Sequence, residues 1–235
     1  MAKLLSEHVG NIAVLYCNRP EVGNSIDLEL ATGLHAAVRA ALSQASALCL
    51  RGSGGVFCAG ADPAALARAD AAELLTREMR EIVGLLRSAP IPVIAYVEGA
   101  ASGGGAELAS VAHLLCATAG ASFQFDAPPS ANWGGDALSR RIGSGRALEI
   151  LVSGRRLGAA AARSIGLVDR VLTPPEFAEF LQLRVLQDKT LARAARLTLC
   201  GGRGLQPEAA PRAGGAAGGV SGPAQPPGTP ADITH

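Results

Sequence analysis

Residues 92–117 read PVIAYVEGAASGGGAELASVAHLLCA: an apolar run, a glycine triplet, a short helix-like stretch and a second apolar run. Pro92 to Val97 carries the β-branched and aromatic content of a buried strand, and Leu114 to Ala117 reads as another. Between them Ser102-Gly-Gly-Gly105 leads into residues 106–111, so glycines stand where a helix opens. Strand, glycine turn, helix and strand is the order of an α/β chain, and the order continues on both sides.

Upstream, residues 12–17 read as the first strand, which stops at Asn18-Arg-Pro20 because proline cannot donate to a ladder. A turn through Gly23 follows, with Ser25 and Asp27 as candidate N-caps. Leu28, Leu34, Val38 and Leu42 then form one stripe of an amphipathic helix. Residues 47–50 are a short strand, and Arg51 to Asp62 is turn-rich. Asp70 is placed to cap a second helix through Leu74, Met79, Ile82, Val83 and Leu86, which Ser88-Ala-Pro90 ends. Downstream, residues 138–152 read as one helix, 158–164 as another and 166–171 as a short strand.

The 235 residues are 49% apolar, enough to bury one sizeable core. One domain over residues 1–200 is expected, with a short C-terminal helical part from about residue 173. Residues 201–235 are rich in Gly, Pro and Ala with almost no large apolar side chains, and a disordered tail is expected there. The formal charge is +1 and neither sign is gathered into a block, which argues against nucleic acid and membrane surfaces as partners. No apolar stretch has the length of a membrane span, and residues 1–10 lack the features of a signal peptide, so a cytoplasmic location is expected.

Five cysteines at wide spacing resemble neither a disulfide framework nor a zinc site, and no metal is expected. Cys58 lies in a glycine-flanked turn, yet no His or Asp near it in sequence would activate a thiolate.

Residues 18–26 (Asn-Arg-Pro-Glu-Val-Gly-Asn-Ser-Ile), 52–62, 91–109 and 138–171 resemble, in order and spacing, successive blocks of the enoyl-CoA hydratase/isomerase (crotonase) superfamily. The resemblance covers roughly residues 8–172. It implies an α/β crotonase-like (ClpP/crotonase) spiral of repeated strand-strand-helix units, with homotrimers or dimers of trimers common among relatives. It also implies an acyl-CoA or acyl-carrier-protein thioester as partner, no tightly bound cofactor, and coenzyme A entering as part of the substrate. Relatives cover the acyl pocket with C-terminal helices, of which residues 173–199 would supply part.

On the same resemblance, the backbone amides of Ala61 and Gly104 hold the thioester oxygen in an oxyanion hole. Two preorganised donors stabilise an enolate oxygen more than a ground-state carbonyl, and losing one typically costs about 3 kcal/mol. Gly103 adjoins the second donor, Ala59, Gly60 and Asp62 are placed along coenzyme A, and Arg19 is placed to meet phosphate. Glu107 matches one of two proton-moving glutamates, and its apolar neighbours are expected to raise its pKa toward the range of general acid–base work.

The second glutamate is missing: ungapped counting puts Ala127 at its position, with Asp126 one residue away as the substitute. Asn132-Trp133 stands where some isomerases place an acid, and Asp136 after the glycine pair reads as a helix cap. The leading expectation is reversible hydration of a 2-enoyl-CoA. Double-bond migration or decarboxylation by Glu107 alone, and a non-catalytic thioester-binding role, remain as alternatives.

Overall fold

The computed structural model describes residues 2–125, 133–134 and 136–200. Asp126, Ala127, Asn132 and the Gly/Pro/Ala-rich stretch 201–235 lie outside the described residues.

Six strands form the larger sheet: β1 (Leu4–Val9), β2 (Ile12–Cys17), β3 (Ala47–Gly52), β4 (Val93–Val97), β6 (Leu114–Ala117) and β9 (Arg170–Val171), in the order β1-β2-β3-β4-β6-β9. β1 and β2 make an antiparallel hairpin, and every later pair is parallel, registered through Ile12 with Ala47, Leu48 with Val93, Ile94 with Leu114 and Cys116 with Arg170. A second layer holds β5 (Ala100–Ser102), β7 (Ser122–Gln124) and β8 (Leu157–Gly158). Single parallel bridges extend it, from Ile26 to Ala61 and from Cys58 to Ala101.

Those bridges reveal the spiral. The chain lays a strand in the larger sheet, crosses to the second layer, and returns through helices. The first turn runs from β2 through Ile26 to α1 (Leu28–Gln44). The second runs from β3 through Cys58 and Ala61 to α2 (Pro63–Leu66) and α3 (Ala69–Ser88), the third from β4 through β5 to α4 (Gly104–Val111). The fourth goes from β6 through β7 to α5 (Ala137–Ile142) and α6 (Ser144–Ser153), and α7 (Ala159–Ser164) precedes β9. Both layers keep one order, so the expected strand-strand-helix repeat is present.

Helices cover both faces of the larger sheet, which is why its central strands are almost continuously apolar. Leu15, Leu48, Leu50, Val93, Ala95 and Val97 pack into the main core with Leu34 and Val38 of α1 and Met79 and Ile82 of α3. The alternate residues Ile12, Val14, Cys49, Ile94 and Tyr96 face the other way, toward Phe177, Leu181 and Leu186. These come from α8 (Pro174–Leu181) and α9 (Arg184–Gln187), with α10 (Lys189–Cys200) following. Tyr96 stacks on Phe177 with ring centroids 3.8 Å apart. Thr173 and Glu176 start α8 with a reciprocal capping box, and Pro174 sets its first turn.

Several boundaries differ from expectation. β1 is an additional strand, largely exposed at the sheet edge, whose residues Ser6, Glu7 and His8 break any apolar run. Asp27 caps α1 by accepting from the Leu30 amide at 2.9 Å, whereas Asp70 lies inside the first turn of α3, whose N-cap position Arg68 holds. The single helix expected over residues 138–152 is two, divided at Gly143, whose φ of 83° no helix residue adopts. Asp136 precedes α5 but makes no cap; it pairs with Arg87 and Arg140 instead.

His113 ties the start of β4 to the turn before β6, its Nδ1 accepting from the Val93 amide at 3.0 Å. Burial, helped by the nearby Arg196, pulls its pKa from 6.5 to about 4. Between those values the unfolded chain binds a proton that the folded chain refuses, so stability present above pH 6.5 is lost as pH falls toward 4. At 1.36 kcal/mol per unit the loss approaches roughly 3 kcal/mol. Urea unfolding at pH 7 and pH 4.5 should show it in the native chain and show much less of it in His113→Gln.

Candidate active site

Three turns of the spiral meet at the glycine segments. The first supplies Arg19 and the 3-10 turn Pro20–Val22, the second residues 57–62, and the third Gly103 to Glu107. Asn24 locks the first two together: it is fully buried at φ 56°, and its amide nitrogen donates to the carbonyls of Ser53 (2.9 Å) and Val56 (2.7 Å). Asn tolerates the left-handed region because its short side chain finds local backbone partners. Its Oδ1 accepts from the Arg19 amide at 2.7 Å.

Backbone bonds then fix the loop in the second layer. The Ile26 amide donates to Gly60 (2.7 Å), the Asp62 amide to Ile26 (2.9 Å), and the Ala59 amide to Gly23 (2.9 Å). On the other side, Phe57 donates to Ala100 (3.0 Å) and Ser102 to Cys58 (3.0 Å). Gly60 sits between, at φ 93°, and a Cβ there would fall 3.0 Å from the Gly104 nitrogen. Glycine is required for both the dihedral and the approach. The residue before the Ala61 amide is thus pressed against the Gly104 amide.

Gly104 opens α4 behind Gly103, which has φ 51° and donates its amide to Gln124 at 2.9 Å. Among the described residues, neither the Ala61 nor the Gly104 amide donates to a protein acceptor. For Gly104 this follows from its place in the first helical turn, where amides have no intrahelical partner and the helix dipole favours an anion.

Glu107 lies one turn along the same helix face as Gly104. It is half-buried, and its Oε2 accepts from the Gly134 amide at 2.8 Å. That amide was not legible from sequence, where Gly134 is one half of a glycine pair. Trp133 beside it is buried, and its ring packs on Gly104 closely enough to exclude a side chain there.

Arg19, expected at a phosphate, turns inward. Its Nη1 donates to the Ser25 carbonyl and to Asp62 Oδ2, both at 2.8 Å, and lies 3.3 Å from Asp27. Asp62 is equally committed, since its other oxygen caps α2 through the Ala64 amide at 2.9 Å. The pair pins the loop that carries Ala61, while Ala59 alone of the loop residues expected along coenzyme A is exposed. Arg19→Gln is expected to cost about 1.5–3 kcal/mol, the usual worth of a charged hydrogen bond, read as a lower urea midpoint with an unchanged slope.

Cys58 is no nucleophile. It is fully buried, burial pushes its thiol up to about 12, and its Sγ accepts from the Gly60 amide at 3.3 Å.

The arrangement offers two adjacent amide donors for an oxyanion and one carboxylate a helical turn away. Comparison with known proteins is consistent with that chemistry. A family model described as Enoyl-CoA hydratase/isomerase matches residues 7–199. A "Probable enoyl-CoA hydratase" of Rhodobacter capsulatus is 32% identical over 176 residues, covering 71% of this chain and 67% of its own length. The crystal structure of an enoyl-CoA hydratase from Bacillus anthracis superposes with a TM-score of 0.74 at 26% identity, over 85% of this chain and 83% of that one. Pseudomonas aeruginosa PA4980 superposes with a TM-score of 0.75 at 30% identity, over 86% of this chain and 94% of that one.

Proposed function

The chain belongs to the enoyl-CoA hydratase/isomerase family, and from that premise we propose that it reversibly hydrates a 2-enoyl-CoA through an enolate held by Ala61 and Gly104. The observation that carries the proposal is the pair of adjacent amides without acceptors among the described residues, with Glu107 one helical turn beyond.

The thioester oxygen accepts from both amides. Glu107 takes a proton from water as the water oxygen bonds to C3, and the C2–C3 π electrons move toward the thioester, leaving an enolate. Negative charge grows on the oxygen that the amides already face, so they stabilise the transition state more than the bound substrate. Protonation at C2 completes the addition. Asp126 is the proposed second acid; failing that, Glu107 returns its own proton. Coenzyme A serves as the handle of the substrate and undergoes no change.

A second reading, proton shuttling by Glu107 alone, has one observation in its favour. Asp136, the carboxylate after the glycine pair, is engaged by Arg87 and Arg140. That chemistry would be double-bond migration or decarboxylation through the same enolate.

Product analysis separates the readings. With crotonyl-CoA the expected product is 3-hydroxybutyryl-CoA; conversion only of a 3-enoyl-CoA or a malonyl-type thioester would replace hydration by one of the other reactions. Binding of all of them without turnover would reduce the protein to a thioester-binding role. Repeating the assay with acyl-carrier-protein thioesters identifies the carrier.

A further inference from the structure

Glu107 meets the stretch of chain that leads into α5. Trp133 packs on Gly104, and a Cβ on Gly134 would stand 2.7 Å from Glu107 Cβ, so these two residues roof the first turn of α4. The roof reaches the carboxylate through the Gly134 amide, which donates to Glu107 Oε2 at 2.8 Å. A glutamate side chain has several rotors, and a donor in a fixed place selects one setting among them. That selection works only while Gly134 stays in place, and glycine is the residue least able to hold its own backbone.

Arg87, in the last turn of α3, supplies the hold. Its Nη2 donates to the Gly134 carbonyl and lies 2.7 Å from Asp136 Oδ1, so one nitrogen spans the chain on either side of residue 135. Arg140 engages the other Asp136 oxygen. Arg87 is anchored in turn, because its own carbonyl accepts from Arg196 of α10 at 3.2 Å. Arg87 and Asp136 are both partly exposed, where an ion pair adds little to stability. The consequence of the contact is geometric: it ties a glycine backbone to a helix 47 residues away in sequence.

We infer that Arg87 is a positioning residue for Glu107: by fixing the Gly134 backbone, it holds the amide that aims Glu107 Oε2. The inference rests on the role proposed for Glu107 above.

Three readings test it. Arg87→Gln, too short to span both acceptors, is expected to lower kcat for crotonyl-CoA by about 10- to 100-fold, with KM within about threefold of native. Because the arginine acts through the carboxylate, adding Arg87→Gln to Glu107→Gln should cost no more than about twofold beyond Glu107→Gln alone. The Gly134 amide, followed by NMR, should exchange its hydrogen at least about tenfold faster in Arg87→Gln than in the native chain. Should that variant fail to fold, Arg87→Lys carries the same readings with a loss in kcat of about threefold or more, since a compact ammonium replaces the planar fork. A kcat within about twofold of native in the folded variant overturns the inference, and so does a further fall beyond about twofold on the Glu107→Gln background. Exchange at Gly134 within about twofold of native overturns it whatever the turnover. If the native chain converts no thioester while Arg87→Gln still speeds that exchange, the clamp on Gly134 stands and the hydration reading falls.

Discussion

Glu107→Gln is expected to lower kcat/KM for crotonyl-CoA hydration by about 10²- to 10⁴-fold, the range that general acid–base groups contribute. The substitution is nearly isosteric and keeps an amide oxygen that accepts from Gly134, so the roof over the first turn of α4 stays in place. What disappears is the ability to take a proton from water. Affinity for a non-reacting analogue such as butyryl-CoA should change by no more than about threefold, because the binding amides of Ala61 and Gly104 are untouched. The fall should therefore appear in kcat. Unchanged turnover would remove Glu107 from the chemistry and leave its carboxylate as an anchor for Gly134.

Strands buried on both faces write themselves as unbroken apolar runs, which is why Ile12–Cys17, Ala47–Gly52 and Val93–Val97 are legible in the sequence almost to their ends. Leu4–Val9 is not, because an edge strand that stays largely in water carries charge where a core strand carries valine. The second layer is less legible still. Its links at Ile26–Ala61 and Cys58–Ala101 are single residue pairs, too short to leave a period.

The site divides the same way. Gly60, Gly104 and Glu107 stand out because a positive φ, a close approach and a carboxylate among apolar neighbours each restrict residue type. Side chains acting through space leave no such mark. Arg19 looks like a surface cation ready for phosphate until Asp62, 43 residues away in sequence, is seen to hold it. Asn132-Trp133 reads only as the lack of an acid, yet the ring of Trp133 packs on Gly104. Asp136 carries the sequence signature of a helix cap, but two arginines from different helices claim it first. Long-range charge pairing overrides local capping wherever the partners converge.

Gly104→Ala should fail for the same long-range reason, with a loss of about 10²- to 10³-fold in kcat/KM, the cost of one oxyanion donor. Local propensity predicts the opposite sign for stability, since alanine at a helix position is favoured over glycine by up to about 1 kcal/mol. The added methyl, however, enters the space of the Trp133 ring. Overpacking of this kind typically costs about 1–3 kcal/mol, and the strain is relieved by moving the Gly104 amide, the ring, or both. A displaced amide no longer faces the oxygen on which charge develops. The double variant Gly104→Ala with Trp133→Ala tests that chain of cause, because it removes the colliding ring and should recover at least about tenfold in kcat/KM over the single Gly104→Ala variant. Gly105→Ala offers the contrast. A Cβ there would press on Cys58, 2.8 Å from both its carbonyl carbon and its Cβ, and backbone cannot swing aside as an indole can. Its damage should therefore appear as lost thermal stability that Trp133→Ala does not rescue, whereas Gly104→Ala should show a defect in turnover that it does. Failure of that rescue would mean that the Gly104 amide is displaced by something other than the indole, or is not the donor at all.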